Sequence, residues 1–385
     1  MRPLAIYIHV PFCAAKCAYC DFASWPNREH EWQRYFDALF AEIDSWAAKT
    51  DYGLLRDGFR CCSLFIGGGT PTLVPAGFIC DAIERCRSIV SFDEGAEITI
   101  EGNPGTLTED KLALYRKAGV DRISLGAQSF DDALLVSLGR IHTSKQIAEA
   151  VRMARREGFS NINLDLMYGL PGQTMGQWRD TLDAAVALDV THISAYSLIV
   201  EEGTPMAERV NAGEALMPDD DVVNDMQREA VDRLEKAGFR RYEISNYARK
   251  GFECRHNLTY WQRGDYLGLG CAAHSMLSET RFCNPVSLSA YLAGERMVER
   301  QELTIRDVME ETLMLSTRTV RGLDMADWQR RFGVSFMDAR TGVVERLSKA
   351  GYIELMNGFL RLTRRGLEVQ NAVVIELLDV IGEGP

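Results

Sequence analysis

The 385-residue sequence contains no run of about 18 apolar residues free of charge, which excludes a membrane-spanning helix. It also lacks a basic surplus. Its 43 basic side chains are outnumbered by 55 acidic ones, for a formal net charge of −12, which argues against a general nucleic-acid partner. The opening stretch MRPLAIYIHVPFC carries one Arg and too short an apolar run for a signal peptide. Lipid-attachment signals, solenoid-type repeats, low-complexity tracts and long linkers are missing as well. These absences lead to the expectation of a cytoplasmic chain, long enough for two domains or for one large α/β domain with an appendage. What stands out instead is ten cysteines. Without an export signal they do not read as a disulfide framework, and they more naturally include metal ligands.

Short apolar, β-branched runs recur at 4–10, 63–66, 97–101, 122–125, 161–167 and 192–200. Stretches of helical periodicity lie between them, at 31–48, 75–89, 109–118, 144–157 and 175–188. Strand then helix, six times over, predicts parallel strands joined by right-handed crossovers. Continuous rather than alternating apolar runs fit strands buried on both faces. Periodicity alone leaves open whether the sheet is open and doubly wound or an incomplete barrel.

Beyond residue 200 the pattern changes, with a helix expected at 220–237, a short strand at 241–244 and a glycine-rich segment at 266–274. Helices are expected at 307–319, 325–332 and 338–350, followed by a hairpin at 352–362 that turns on Asn357-Gly358. That order suggests a winged-helix-like appendage. Residues 306–370 carry 11 basic and 9 acidic side chains, so DNA binding is unsupported there.

Cys13, Cys17 and Cys20 form C-x3-C-x2-C directly after the first strand. Three close thiolates suit a soft metal or an iron–sulfur cluster, and three ligands on a [4Fe–4S] cluster leave one iron open for chemistry. A zinc site completed by a fourth ligand such as His9 is the simpler alternative, although zinc sites usually pair two CxxC knuckles. Strand ends further along are also marked. Gly67-Gly68-Gly69-Thr70-Pro71 follows the second strand, where glycines allow close backbone approach and expose N–H donors. Glu101 ends the third strand, Gln128 the fourth, and Asp165 lies in the fifth. Polar groups at the carboxyl ends of parallel strands face the crevice where ligands bind.

CAAKCAYC, with Tyr7 before it and Phe22 after it, resembles the radical S-adenosylmethionine (SAM) superfamily. The resemblance implies a partial (β/α)6 barrel over 1–205, with the open iron chelating SAM and an electron from the cluster cleaving its sulfonium. It implies that Gly67–Gly69, Thr70 and Pro71 bind the methionine amino group through backbone. Glu101 would bind the ribose hydroxyls, Gln128, Arg140 and Asp165 would line the SAM pocket, and Tyr7 and Tyr19 would pack beside cluster and adenosine. Ile199 would offer a backbone contact to adenine.

SLGAQSF, DLMYGLPGQT, YEISNYA and CRHNLTYW resemble the coproporphyrinogen oxidase-like branch of that superfamily. Two readings compete within it, an oxygen-independent coproporphyrinogen III oxidase and a heme chaperone. The oxidase pattern has a fourth cysteine where this chain has Phe22, and a substantial extension before the cluster where only 12 residues precede Cys13. The chaperone reading is favoured by HNxxYW, which makes His256, Asn257, Tyr260 and Trp261 heme-binding candidates. Imidazole is the commonest heme ligand and aromatic rings stack on porphyrins. A hydrogen-bonded structural histidine is the alternative for His256. Cys254 and Cys271 are weaker candidates for approaching heme, and the remaining cysteines read as core.

The expectation is therefore a radical SAM core at 1–205, a connecting region with HNxxYW at 206–300 and a winged-helix-like domain at 301–385. The resemblance implies a [4Fe–4S] cluster, SAM and heme as cofactors. It implies respiratory heme proteins as acceptors and a cytoplasmic or peripherally membrane-associated location. A non-enzymatic, zinc-structured, nucleotide-binding docking protein remains the alternative from another class.

Overall fold

A computed structural model describes residues 1–48, 54–338 and 340–378. The six expected strands form as β1 (Arg2–Val10), β2 (Phe59–Gly68), β3 (Ser91–Gly102), β4 (Arg122–Gln128), β5 (Asn161–Tyr168) and β6 (His192–Ser197), each parallel to the next. Helices α1 (Trp32–Ser45), α2 (Ala76–Ile89), α3 (Glu109–Ala118), α4 (Ser144–Arg156) and α5 (Met175–Ala187) cover the outer face. Local chemistry sets their ends. Thr143 with Gln146 and Thr174 with Gln177 form capping boxes, and Gly119 stops α3 at φ +95°. One core joins β-strand residues such as Ile8, Leu64, Ile100, Leu125 and Leu164 to helix residues such as Phe36, Ile83 and Trp178. Burial of each such side chain contributes about 1.5–3 kcal/mol.

Two expectations are corrected here. β6 ends at Ser197 rather than at 200, because Leu198 turns into a small apolar cluster with Leu134, Met167 and Met206 while Ile199 is left 67% exposed. Residues 206–300 are not merely a connector, since they extend the same sheet at both edges. Beside β6 lie β7 (Arg240–Arg241) and β8 (Asn246–Ala248), both antiparallel. Beside β1, β9 (Asp265–Leu269) is a seventh parallel strand, followed by antiparallel β10 (His274–Leu277), β11 (Thr280–Cys283) and β12 (Glu299–Glu302). The described sheet has twelve strands. Gly268 permits the turn back from β9 to β10, where any Cβ would collide with the His274 carbonyl.

Between the flanks, α6 (Asp220–Lys236) packs on α5, and the short α7 (Arg255–Trp261) packs on β2 and β9. The C-terminal part has winged-helix order: α8 (Ile305–Ser316), β13 (Leu323–Asp324), α9 (Met325–Phe332), α10 (Thr341–Lys349), then the wing β14 (Ile353–Met356) and β15 (Phe359–Leu362). Helix α11 (Gln370–Leu378) closes a separate core around Leu313, Trp328, Val344 and Leu360. Position 339 of the expected helix and 379–385 of the expected domain lie outside the described residues. Among the described residues, no helix is long and apolar enough to cross a membrane.

Candidate functional site

The cysteine loop leaves β1 at its carboxyl end and is fixed from below. His9 is buried, its Nδ1 accepting from the Tyr7 hydroxyl at 3.0 Å and its Nε2 donating to the Ala23 carbonyl at 2.8 Å, the tautomer being the one this pairing requires. Gly68, at φ +112°, leaves room for that ring, and a Cβ there would lie 2.5 Å from it. Gly69 N–H donates to Val10 O at 2.9 Å, Thr70 N–H to Phe12 O at 2.7 Å and Gly68 N–H to Glu101 Oε2 at 3.1 Å. This corrects the expectation of free amide donors, because those amides hold the cysteine loop and Glu101 in place. An ammonium ligand needs acceptors, so engaged amides are compatible with it.

Cys13, Cys17 and Cys20 line one side of a cavity of about 370 Å³. The Thr70 hydroxyl donates to Cys13 Sγ at 3.8 Å and Arg140 Nη1 to Cys17 Sγ at 3.3 Å. Arg140 is held in turn by Gly126 O at 2.6 Å and by the Asn103 side chain. Burial pushes the thiols of Cys13 and Cys20 up from their ordinary value. Among the described residues, no group of three or more His, Cys, Asp and Glu side chains converges closely enough for a single metal ion. Donors aimed at sulfur and an adjoining roomy cavity fit a larger cluster with a ligand beside it.

The opposite wall is acidic. Burial, then the charge of Asp165, pushes Glu101 up to about 8 against the pull of the Gly68 N–H and Arg122. Asp165 is also raised by burial, although it accepts hydrogen bonds from Asn163 Nδ2 at 2.8 Å and Ser124 Oγ at 3.1 Å. Two buried carboxylates facing one cavity are costly unless a polar or cationic ligand lies between them.

Of the expected residues, Tyr19, Gly68, Gly69, Thr70, Glu101, Gln128, Arg140 and Asp165 line the same cavity as the cysteines. The other four lie off its wall. Gly67 sits behind Glu101, Pro71 is buried at the start of a short 3-10 turn, and Ile199 stands exposed on its loop. Tyr7 points into the barrel, where it supports His9 and lies 6.3 Å from the Phe65 ring. Sequence reasoning missed Asn103, Ser124, Gly126, Met167 and Tyr196, which also line the cavity. Strand period two was the available signal, since Ser124 and Gly126 precede Gln128 at even spacing and Met167 follows Asp165 by two.

The HNxxYW residues lie on α7, inside the sheet's curve. Glu97 accepts from the backbone N–H groups of Arg255 at 3.2 Å and His256 at 3.3 Å, so a carboxylate caps the helix start. His256 is 2% exposed. Its Nδ1 pairs with Ser63 Oγ and its Nε2 with Tyr260 Oη, each at 3.0 Å. Burial and Arg122 push it down to about 3. The structural alternative thus describes His256 as folded, with neither ring nitrogen open to iron. Trp261 lies under Arg318, 4.6 Å from its ring centroid, at the contact with the C-terminal domain. Asn257 is half-buried on the same helix. Cys254 and Cys271, the weaker candidates, are both fully buried and donate to Glu97 Oε1 at 3.4 Å and Pro285 O at 3.2 Å, as packing thiols do.

A His256→Leu variant should therefore melt at lower temperature, because the hydroxyls of Ser63 and Tyr260 lose their partner at about 1–3 kcal/mol. It should still titrate with hemin at wild-type stoichiometry. Loss of the Soret band at an unchanged melting temperature would make His256 an iron ligand instead.

Comparison with known proteins agrees with this geometry. Residues 7–185 match the radical SAM superfamily model, and residues 303–369 match the HemN C-terminal domain model. The heme chaperone HemW of Haemophilus influenzae is 37% identical over 344 residues, covering 87% of this chain and 88% of that protein. The HemW of Bacillus subtilis is 33% identical over 373 residues, covering 95% and 97%. The solved structure of coproporphyrinogen III oxidase (HemN) from Escherichia coli, described as a radical SAM enzyme, superposes with a TM-score of 0.85 at 25% identity, covering 98% of this chain and 90% of that one. With a barrel that gathers cysteines, glycines and carboxylates at one mouth, and with relatives matched along nearly its whole length, the chain belongs to the HemW heme chaperone family of the radical SAM superfamily.

Proposed function

We propose that this chain holds a [4Fe–4S] cluster through Cys13, Cys17 and Cys20 with SAM beside it, and that it binds heme and delivers it to respiratory heme proteins. The observation that carries the cofactor half is the sharing of one cavity by the three thiols, Arg140, Glu101 and Asp165. The heme half rests on the relatives named as heme chaperones over nearly the full length. When bound, the cluster would supply an electron to the SAM sulfonium.

The chain's own residues bind and orient. Arg140 joins the cysteine loop to β4 by donating to Cys17 Sγ and Gly126 O. Glu101 and Asp165 offer oxygens to hydroxyl and ammonium groups, while Tyr19, Gln128 and the 67–71 segment shape the pocket. Tyr7 and His9 hold the loop from beneath, and Ile199 flanks the mouth. In this reading 1–205 is the cofactor core, 206–300 completes the sheet and carries HNxxYW, and 301–385 is a docking domain. Asn257, Tyr260 and Trp261 act with His256 to seat α7 between barrel and docking domain. A cytoplasmic location with peripheral membrane contact at acceptors belongs to the same proposal.

The likeness to the oxidase structure supports a second reading, decarboxylation of coproporphyrinogen III. Phe22 stands against it, lying 67% exposed at the cavity where the oxidase pattern has a fourth cysteine. Purified protein should bind hemin and leave coproporphyrinogen III unconverted. Conversion would replace the first reading with the second.

A further inference from the structure

Two of the three loop sulfurs accept a side-chain hydrogen bond. Cys13 Sγ accepts from Thr70 Oγ1 at 3.8 Å and lies in reach of the Ser24 hydroxyl. Cys17 Sγ accepts from Arg140 Nη1 at 3.3 Å. Several other thiols take the opposite role. Cys61 donates to Ser63 O at 3.3 Å, Cys254 to Glu97 Oε1 at 3.4 Å and Cys271 to Pro285 O at 3.2 Å. Cys13 and Cys17 thus accept from side-chain donors, whereas these other thiols donate to carbonyl or carboxylate oxygens.

The donors are also fixed before any ligand arrives. Thr70 is tied by its own N–H to Phe12 O at 2.7 Å, and Arg140 by Gly126 O and Asn103. The Arg140 side chain does not need the sulfur to hold its place, and the Thr70 backbone that carries the hydroxyl is anchored independently of it. A preorganised donor stabilises negative charge without rearranging.

Resting on the cluster reading, we infer that Thr70 and Arg140 are positioning residues that set the cluster's reduction potential by hydrogen-bonding two of its three protein sulfurs. Hydrogen bonds to cluster sulfur are among the determinants of that potential. The direction follows from charge. Uptake of one electron from an external reductant makes the cluster more negative while its cysteine ligands stay bound. Donors on sulfur stabilise that reduced form more than the oxidised one, and raise the potential.

The test uses full-length protein reconstituted anaerobically, without SAM, and followed by electron paramagnetic resonance during a dithionite titration with mediators. Iron and sulfide content are measured on the same samples. Thr70→Val should disfavour reduction by about tenfold, equivalent to a midpoint about 59 mV more negative for one electron. Arg140→Gln should shift it in the same direction, and Thr70→Ser, which keeps the hydroxyl, should restore the wild-type value. Wild-type midpoints in both Thr70→Val and Arg140→Gln at full cluster content would overturn the inference. Should Thr70→Val fail to assemble a cluster, the Arg140→Gln midpoint decides. A wild-type chain that takes up no cluster would overturn the cluster reading beneath it, a result that iron and sulfide analysis separates from an unshifted midpoint.

Discussion

Replacing Cys17 with Ser should reduce the reconstituted protein from about four irons and four sulfides per chain to a minor fraction of each, and remove the reducible cluster signal. A serine hydroxyl is a far weaker ligand to iron than a thiolate, and the other two cysteines cannot by themselves retain the cluster. The substitution also takes away the sulfur that Arg140 Nη1 reaches at 3.3 Å, loosening the link from the loop to β4. The fold itself should survive. Cys17 is only half-buried, and the loop stays anchored by Ala18 N–H on Leu138 O at 3.0 Å and by Met206 N–H on Ala18 O at 2.8 Å. Far-ultraviolet circular dichroism should therefore match the wild type while the iron is lost. Full cluster content with redox activity in Cys17→Ser would remove Cys17 from the ligand set.

Glu101→Ala should weaken SAM binding by roughly 10- to 100-fold, the loss of one hydrogen bond to a charged group at about 1.5–3 kcal/mol. The same carboxylate should make binding depend on pH. Burial and Asp165 keep Glu101 protonated up to about 8 rather than to its ordinary 4.5. A cationic ligand favours the ionised form, so SAM affinity should rise as pH climbs toward 8 in the wild type and stay flat in Glu101→Gln. Stability of the ligand-free protein runs the other way. Between 4.5 and about 8 the folded state carries a proton that the unfolded chain has lost, so Glu101 makes stability fall as pH rises. Glu101→Gln should flatten that fall too. Calorimetric SAM titrations and a pH series of melting temperatures check both. Equal pH slopes in wild type and Glu101→Gln would mean that Glu101 does not face the ligand.

The six parallel strands were legible because burial on both faces leaves a continuous apolar run such as LAIYIHV, which needs no partner to be recognised. Glu101, Gln128 and Asp165 were legible for a related reason, being polar interruptions near the ends of such runs. The sheet's outer edges were not. β12 is ERQE, with all four residues exposed, and β9 pairs with β1 across more than 250 residues through a segment whose glycines read as a turn. No local pattern reports a contact of that kind. Tyr7 illustrates a third limit. The family resemblance implied a place beside the cluster, but Tyr7 lies three residues before the strand ends and so one layer deeper in the barrel. His256 illustrates a fourth. Its motif suggested an iron ligand, whereas its environment is set by Ser63, Glu97 and Tyr260, two of which come from distant strands. For the C-terminal domain, helix order and the Asn357-Gly358 turn were sufficient, since a winged helix is built from neighbouring elements.

The central claim is delivery of heme by a radical SAM fold, and the most direct measurement supplies one reconstituted sample with both candidate tetrapyrroles. Protein with a full cluster, SAM and a reductant is incubated anaerobically with coproporphyrinogen III, and the products are separated by chromatography. A parallel aliquot is titrated with hemin and then mixed with an apo-heme protein. The account predicts a stoichiometric Soret band that moves to the acceptor, with coproporphyrinogen III recovered intact. Protoporphyrinogen in the first aliquot, with no heme retained in the second, would contradict it.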